Sequence, residues 1–231
     1  MIQIGIASAA ERIESLRETV NSLIKQTTLP SKISLYCQYG HPARQEDFPG
    51  VEIIHYKKEH GPYLGDAHKM WWASQTDGYY LVCDDDLIYP PDYIERMIAG
   101  VEQYGRNAIV GLHGVIMKPY PRKYYRDRIV LHGLHELKQD TPVHLVATCS
   151  AAWHTSKVKF SFDDCKKASM CDIWLGLYAQ KNKIPCVALN RPADWVRHTD
   201  KIDLKETIFA KNSRLPKYVG DNYIFQVWNL Y

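Results

Sequence analysis

The sequence predicts an α/β fold, and three observations carry that expectation. Short apolar, β-prone runs recur along the chain with an amphipathic helical pattern after several of them. Residues 79–83 form one such run, suited to a strand buried in a sheet, and it stops abruptly at Asp84, Asp85 and Asp86. The chain also opens with strand, small-residue turn and helix, the arrangement with which α/β folds hold nucleotides.

Residues 2–7 are the first apolar run, and Ala7-Ser8-Ala9-Ala10 is the turn behind it. Backbone amides there can approach a ligand without side chains in the way. Ile13, Leu16, Val20, Leu23 and Ile24 then recur at helical spacing. Arg12 is either a nucleotide contact or a solvated helix arginine. Residues 33–37 and 51–56 read as two further strands, and residues 57–64 as a polar loop. Residues 65–73 read as a helix opened by Asp66, whose carboxylate is suited to capping it. Lys69 lies one turn inside, as an exposed lysine or a donor contact. Trp71 and Trp72 fit a core better than a ligand platform.

Three adjacent acids at the end of a buried strand repel one another and are costly to desolvate, so a cation is expected beside Asp84, Asp85 and Asp86. Pro91 suits the first position of the next helix, in which Ile94, Met97, Ile98, Val101 and Tyr104 line one face before Gly105 ends it. Residues 108–112 read as a strand. Residues 118–128 are a basic, aromatic, proline-broken loop. It is either a solvated surface or a grip for an acceptor phosphate, an anionic membrane or a single-stranded nucleic acid. Residues 143–153 are apolar and β-prone, with Thr148-Cys149-Ser150 in their middle. A helix is expected from Met170, with Asp172 near its N-terminus, where the dipole alone would favour an aspartate. Residues 184–189 read as the final strand. A charged segment at 201–211 and an aromatic end at 223–231 suggest a lid or an oligomer contact.

The 231 residues suit one large domain, and 45% hydrophobic with 24% charged residues is ordinary for a soluble globular protein. A net charge of +3 is too small to argue for nucleic acid. The 16 tyrosines and six tryptophans suit a core, or stacking on sugar or base rings. Six scattered cysteines without a zinc-ribbon pair point to a reduced, cytoplasmic setting. Neither a signal peptide nor an apolar run of membrane-spanning length is expected.

Four segments in order resemble the family 2 glycosyltransferases: Ile6-Ala7-Ser8 before a helix near Arg12, Gly65-Asp66-Ala67-His68-Lys69, the stretch from Tyr80 through Asp84-Asp85-Asp86 to Pro90, and Met170-Cys171-Asp172-Ile173-Trp174. The resemblance spans about residues 2–198 and implies the GT-A, or nucleotide-diphospho-sugar transferase, fold. That is a mixed, mostly parallel central sheet flanked by helices. It implies a single domain over residues 1–231, with a donor half (about 1–110), an acceptor half (about 111–200) and a tail (201–231).

The implied activity is metal-dependent, inverting transfer of a sugar from a nucleotide-sugar, a UDP-sugar first, to a glycan or lipid-linked acceptor. Bacterial surface polysaccharide synthesis, at the cytoplasmic side with peripheral contact at the inner membrane face, is the implied setting. Nucleic acid is not an expected partner, and the tail is the expected oligomer contact. In this scheme Asp86 and His198 hold Mn²⁺ or Mg²⁺, which neutralises the leaving diphosphate. Ala7, Ser8, Arg12, Asp66, Lys69, Asp84 and Asp85 meet the donor. Asp172 is the general base, and Ser150 and Trp174 meet the acceptor, with a core role equally open for Trp174. The chain departs from the family pattern in two places. Cys171 precedes Asp172 where many relatives have a second acid, and the first loop lacks the relatives' proline and asparagine.

Two other readings compete. A nucleotidyltransferase making a nucleotide sugar would carry a glycine-rich basic loop after the first strand, which residues 7–10 lack. A non-catalytic glycan- or nucleic-acid-binding module would use residues 118–128 but leave the four aspartates unexplained.

Overall fold

The computed structural model describes residues 1–201, 207–214 and 221–223. It opens with β1 (Ile2–Ser8), a 3-10 turn at Ala10–Arg12 and α1 (Ile13–Leu23), followed by β2 (Lys32–Cys37) and β3 (Val51–His55). Three 3-10 segments, Lys58–His60, Gly65–Met70 and Ala73–Gln75, lie between β3 and β4 (Tyr79–Cys83), and β5 (Leu87–Ile88) and α2 (Tyr93–Gln103) follow. Then come β6 (Ile109–Gly111), β7 (Gly114–Met117), β8 (Arg128–Leu131), β9 (Thr141–Val143), β10 (Leu145–Val146) and β11 (Ala152–His154). The described chain ends with α3 (Cys171–Lys181), β12 (Cys186–Ala188), β13 (Arg197–His198) and the short α4 (Ile208–Asn212).

Eight strands form one sheet in the order β3-β2-β1-β4-β11-β6-β12-β9. Strands β1 to β4 are mutually parallel, β6 and β12 run the same way, and β11 and β9 oppose their neighbours. The sheet is therefore mixed and mostly parallel, as expected, and strands from both expected halves share it. Period-two alternation divides β4 between two cores. Tyr80 and Val82 join Trp72, Trp153, Ile173 and Leu175 on the face of α3, whereas Leu81 and Cys83 join Ile4, Ile6, Leu16, Met97 and Val101 on the face of α1 and α2. Burial on both faces explains why residues 79–83 are apolar without a polar alternate.

This topology makes the site. The carboxyl ends of β1, β2, β4 and β6 lie along one edge of the sheet, where ligands of open α/β sheets bind. Because β11 is antiparallel to β4, with Ala152 opposite Leu81, it is the beginning of β11 that lies at this edge. That brings Thr148-Cys149-Ser150 to the acidic turn.

Several expected boundaries move. Residues 65–73 do not form an α-helix opened by Asp66. They form the 3-10 segment Gly65–Met70, capped at Leu64, and Asp66 instead accepts a hydrogen bond from the Ser169 amide at 3.0 Å. Residues 143–153 are not one strand. Their apolar run breaks at a turn in which the Ser150 amide donates to the Ala147 carbonyl, at 3.3 Å. Trp72 is in the core as expected, whereas Trp71 is only partly buried. All six cysteines are free. No described helix is long and apolar enough to cross a membrane. Residues 202–206, 215–220 and 224–231 lie outside the described residues, and most of the expected aromatic contact tail falls there.

Gly5 sits in the middle of β1 on the α3 face. A Cβ there would collide with the Lys69 carbonyl oxygen and the Tyr80 hydroxyl, which themselves share a hydrogen bond of 2.6 Å. Overpacking of this kind costs ~1–3 kcal/mol or more. Gly5→Ala is therefore expected to lower the unfolding free energy by about 3 kcal/mol, measured as a lower urea midpoint with an unchanged slope.

Candidate active site

A cavity of about 1110 Å³ lies at the carboxyl edge of the sheet. Ala7, Arg12, Asp66, Lys69, Asp84, Asp85 and Asp86 line it from the expected donor half, and Ser150, Asp172 and His198 line it from the other side. Ser8 and Trp174 do not line it.

The acidic turn is held from within. Arg12, delivered by the 3-10 turn after β1, places a guanidinium nitrogen 2.7 Å from Asp86 Oδ2. Lys69 places its ammonium 2.5 Å from Asp84 Oδ1 and donates to the Thr148 carbonyl at 3.2 Å. Of the two readings of Lys69, an exposed lysine or a donor contact, its 3% exposure excludes the first. Burial opposes its charge, but Asp84 and other neighbours outweigh that, so its pKa is raised well above the ordinary value. Asp85 is pushed up to about 7, first by burial and then by Asp86, with the Ser8 hydroxyl acting the other way. Asp86 is raised by burial and by Asp84, against the pull of Arg12. Asp66 is pushed up to about 6 by burial, with Asp172 and Asp84 adding to the effect and Lys69 opposing it. Five carboxylates, Asp66, Asp84, Asp85, Asp86 and Asp172, thus feel one another across a small volume.

Tyr89 joins the two sides. Its hydroxyl accepts the Asp84 amide at 3.0 Å and donates to the Cys149 carbonyl at 2.6 Å. On the far side Asp172 lies in the first turn of α3, and its Oδ1 accepts both the Thr148 amide and the Thr148 hydroxyl, each at 2.7 Å. Two donors on one oxygen fix the carboxylate's orientation. Thr148 was visible in the sequence only as part of a polar interruption in an apolar run.

Three expectations change in detail. Ser8 is fully buried and does not line the cavity; its hydroxyl lies 3.1 Å from His41 Nε2 and hydrogen-bonds Asp85, so it supports that carboxylate rather than meeting a ligand. Ser150 is 1% exposed, and its hydroxyl accepts the Leu112 amide at 3.1 Å, which holds the β11 turn against β6. Trp174 is 7% exposed, donates its indole N–H to the Lys167 carbonyl at 3.1 Å and packs against Tyr223. It belongs to the core cluster on the α3 side of the sheet and does not line the cavity, which selects the core role of the two it was read with.

The donor atoms suit an oxygen-seeking divalent cation. His198 is carried by β13, which pairs with β5 directly after the acidic turn, His198 opposite Leu87. Its Nδ1 is buried without a hydrogen-bond partner among the described residues, and the imidazole lies close enough to Asp86 to influence its titration. Among the described residues no three His, Cys, Asp or Glu side chains form a ready-made metal cage. A cation that takes one or two carboxylates and completes its shell with phosphate oxygens needs no such cage.

No family model matches the chain, and no curated protein sequence matches it. Among solved structures it is similar in fold to S. aureus TarS, with a TM-score of 0.48 and 10% identity over 83% of this chain and 35% of that one. It is likewise similar to S. aureus TarS 1–349, with a TM-score of 0.49 and 12% identity over 83% of this chain and 58% of that one. The chain thus spans about a third and under three-fifths of the two chains' lengths. At such identities the likeness is one of fold and does not reach the site residues.

His41 provides a test of the support behind Asp85. It is 5% exposed, accepts the Ala43 amide at Nδ1 at 3.1 Å, and is pushed down to about 4 by burial and by His55. Between that value and the usual ~6.5 the unfolded chain binds the extra proton and the folded one does not. Its contribution is therefore full above pH ~6.5 and falls as the pH drops toward 4. Denaturant titrations across this range should show His41→Asn losing up to about 3 kcal/mol less than the wild type.

Proposed function

We propose that the protein is a metal-dependent, inverting glycosyltransferase of the GT-A kind, using a nucleotide-sugar, UDP-sugars first, and a glycan or lipid-linked acceptor. One observation carries the reading: Asp172 and the Asp84-Asp85-Asp86 turn, about a hundred residues apart, line the same cavity. A non-catalytic module gives no reason for that convergence.

In this reading Asp86 and His198 hold Mn²⁺ or Mg²⁺, which when bound offsets the charge of the departing diphosphate. Asp84 and Asp85 meet the ribose or sugar, and the amides of the Ala7 turn leave room for the nucleotide. Arg12 and Lys69 keep the acidic turn neutralised and pre-formed, so little reorganisation is needed as charge develops on the leaving group. Asp172, with one oxygen held by Thr148, takes the proton of the acceptor hydroxyl as that oxygen attacks the anomeric carbon. The bond from that carbon to the diphosphate breaks on the opposite face. The products are the inverted glycoside and a nucleoside diphosphate.

Calorimetry should show UDP binding that requires Mn²⁺ or Mg²⁺ and weakens at least tenfold in Asp86→Asn. Absence of binding by any nucleoside diphosphate, with or without metal, would remove the reading. In a panel of nucleotide sugars scored for released nucleoside diphosphate, Asp172→Asn should lower turnover by about 10²–10⁴-fold while UDP affinity stays within twofold. Undiminished turnover in that variant would exclude Asp172 as the base.

A further inference from the structure

The loop at residues 118–128 does not face only solvent. Asp127 accepts the backbone amides of Arg122 and Lys123 at 2.9 and 2.8 Å, which folds the loop back on itself. Tyr124, 5% exposed, then lines the cavity together with Tyr125 and Arg128. Asp221 pins this wall from the C-terminal side, accepting the Tyr124 amide at 2.8 Å and pairing with Lys123 at 3.2 Å.

Arg128 is built in without a counter-ion. Its guanidinium lies 4.3 Å from the Tyr124 ring centre and 4.8 Å from that of Tyr125. Among the described residues its buried Nε has no hydrogen-bond partner and its guanidinium forms no ion pair, the side-chain hydrogen bond it does make being to Tyr124. A second arginine nearby shows what a structural role looks like. Arg191, 3% exposed, gives its donors to the carbonyls of Gly133, Leu189 and His132. A buried donor left unpaired is costly, and stacking on tyrosines offsets only part of it.

The cavity lining also holds the basic side chains Lys211 of α4 and Arg214 beyond it, together with His132, whose imidazole is kept toward the neutral form by burial. His113 is driven down to about 3 by burial and then by His132, Arg128 and Arg191. The cavity's carboxylates, Glu11, Asp66, Asp84, Asp85, Asp86 and Asp172, come from other segments. Tyr124 connects the two regions, because its hydroxyl, raised by burial, is raised further by Asp172.

We propose that Arg128, stacked on Tyr124 and Tyr125, binds an anionic oxygen group, phosphate or carboxylate, on the acceptor, and so selects acidic over neutral acceptors. The proposal rests on the glycosyltransferase reading for the word acceptor, but the anion site itself does not depend on transfer. A planar guanidinium fits either group through paired N–H bonds. An anion there would satisfy the buried Nε and give the guanidinium a counter-ion. It would also hold a neighbouring hydroxyl of the same molecule on the Asp172 side of the cavity.

The test is calorimetric titration of glucose 6-phosphate, glucuronate and glucose into the full chain. The variants are Arg128→Gln, Arg128→Lys and Arg12→Gln, with thermal melts to check folding. At least one of the two anions should bind at least tenfold more tightly than glucose, and the tighter one identifies the group. Arg128→Gln should lose at least tenfold for that anion, Arg128→Lys should lose less, and Arg12→Gln should be unchanged. Equal affinity for all three sugars overturns the proposal, as does an anion affinity unmoved by Arg128→Gln. Loss in Arg12→Gln instead would place the anion in the donor half and also overturn it. If Arg128→Gln fails to fold, Tyr125→Leu serves in its place, with a loss of at least threefold expected and none overturning the proposal. UDP binding with Mn²⁺, measured on the same samples, separates failure of this site from failure of the transferase reading.

Discussion

The site depends on one buried cation. The Lys69 ammonium touches Asp84 on the acidic turn and the Thr148 carbonyl on the opposite turn, so a single side chain spans the two walls of the cavity. Its own carbonyl accepts the Tyr80 hydroxyl inside the core. Attraction to Asp84 is on the order of 5 kcal/mol at an effective dielectric of about 20, reduced by water on the exposed side of Asp84. Desolvation of the ammonium costs several kcal/mol in the other direction. Attraction from Asp84 and the other neighbouring groups outweighs that penalty, so the ammonium stays charged and fixes the geometry of both walls. Gly5 belongs to the same arrangement, since any side chain there would displace the Lys69 backbone.

Around that cation the structure sets charges against one another in layers. Arg12 meets Asp86, Lys69 meets Asp84, and Asp85 has neither as a direct partner but is backed by Ser8 and His41. The raised pKa of Asp85 follows from that exclusion: burial and the neighbouring acid dominate, and one hydroxyl does not offset them. A divalent cation would supply the missing positive charge. On the opposite side, which also carries Asp172, Arg128 has no ion-pair partner among the described residues.

Much of this was legible in the chain. The abrupt stop of residues 79–83 at three acids marked the site, because buried strands do not ordinarily end in adjacent carboxylates. The small residues at 7–10, Asp172 at the start of a helix and His198 after the last core strand were also readable. Lys69 was not readable as buried, because a lysine on a short helical stretch looks the same exposed or enclosed until the partner strands are placed. Ser8 and Trp174 were read toward ligands, and their side chains turn inward for reasons set by packing: His41 lies behind Ser8, and Tyr223 and the Lys167 carbonyl meet Trp174. Residues 118–128 showed their charge and aromatics in sequence, but not that Tyr124 and Arg128 would turn to the cavity.

Sequence by itself determined the alternation of strands and helices, the acidic turn and the candidate base, since periodicity and local charge are properties of neighbouring residues. Tertiary structure alone decided which of those residues meet. The antiparallel insertion of β11 beside β4 brings Thr148 to Lys69 and to Asp172, and the β13–β5 pair brings His198 to Asp86. Such contacts join segments far apart in the chain. They follow from strand order and direction, which each strand's own residues do not encode.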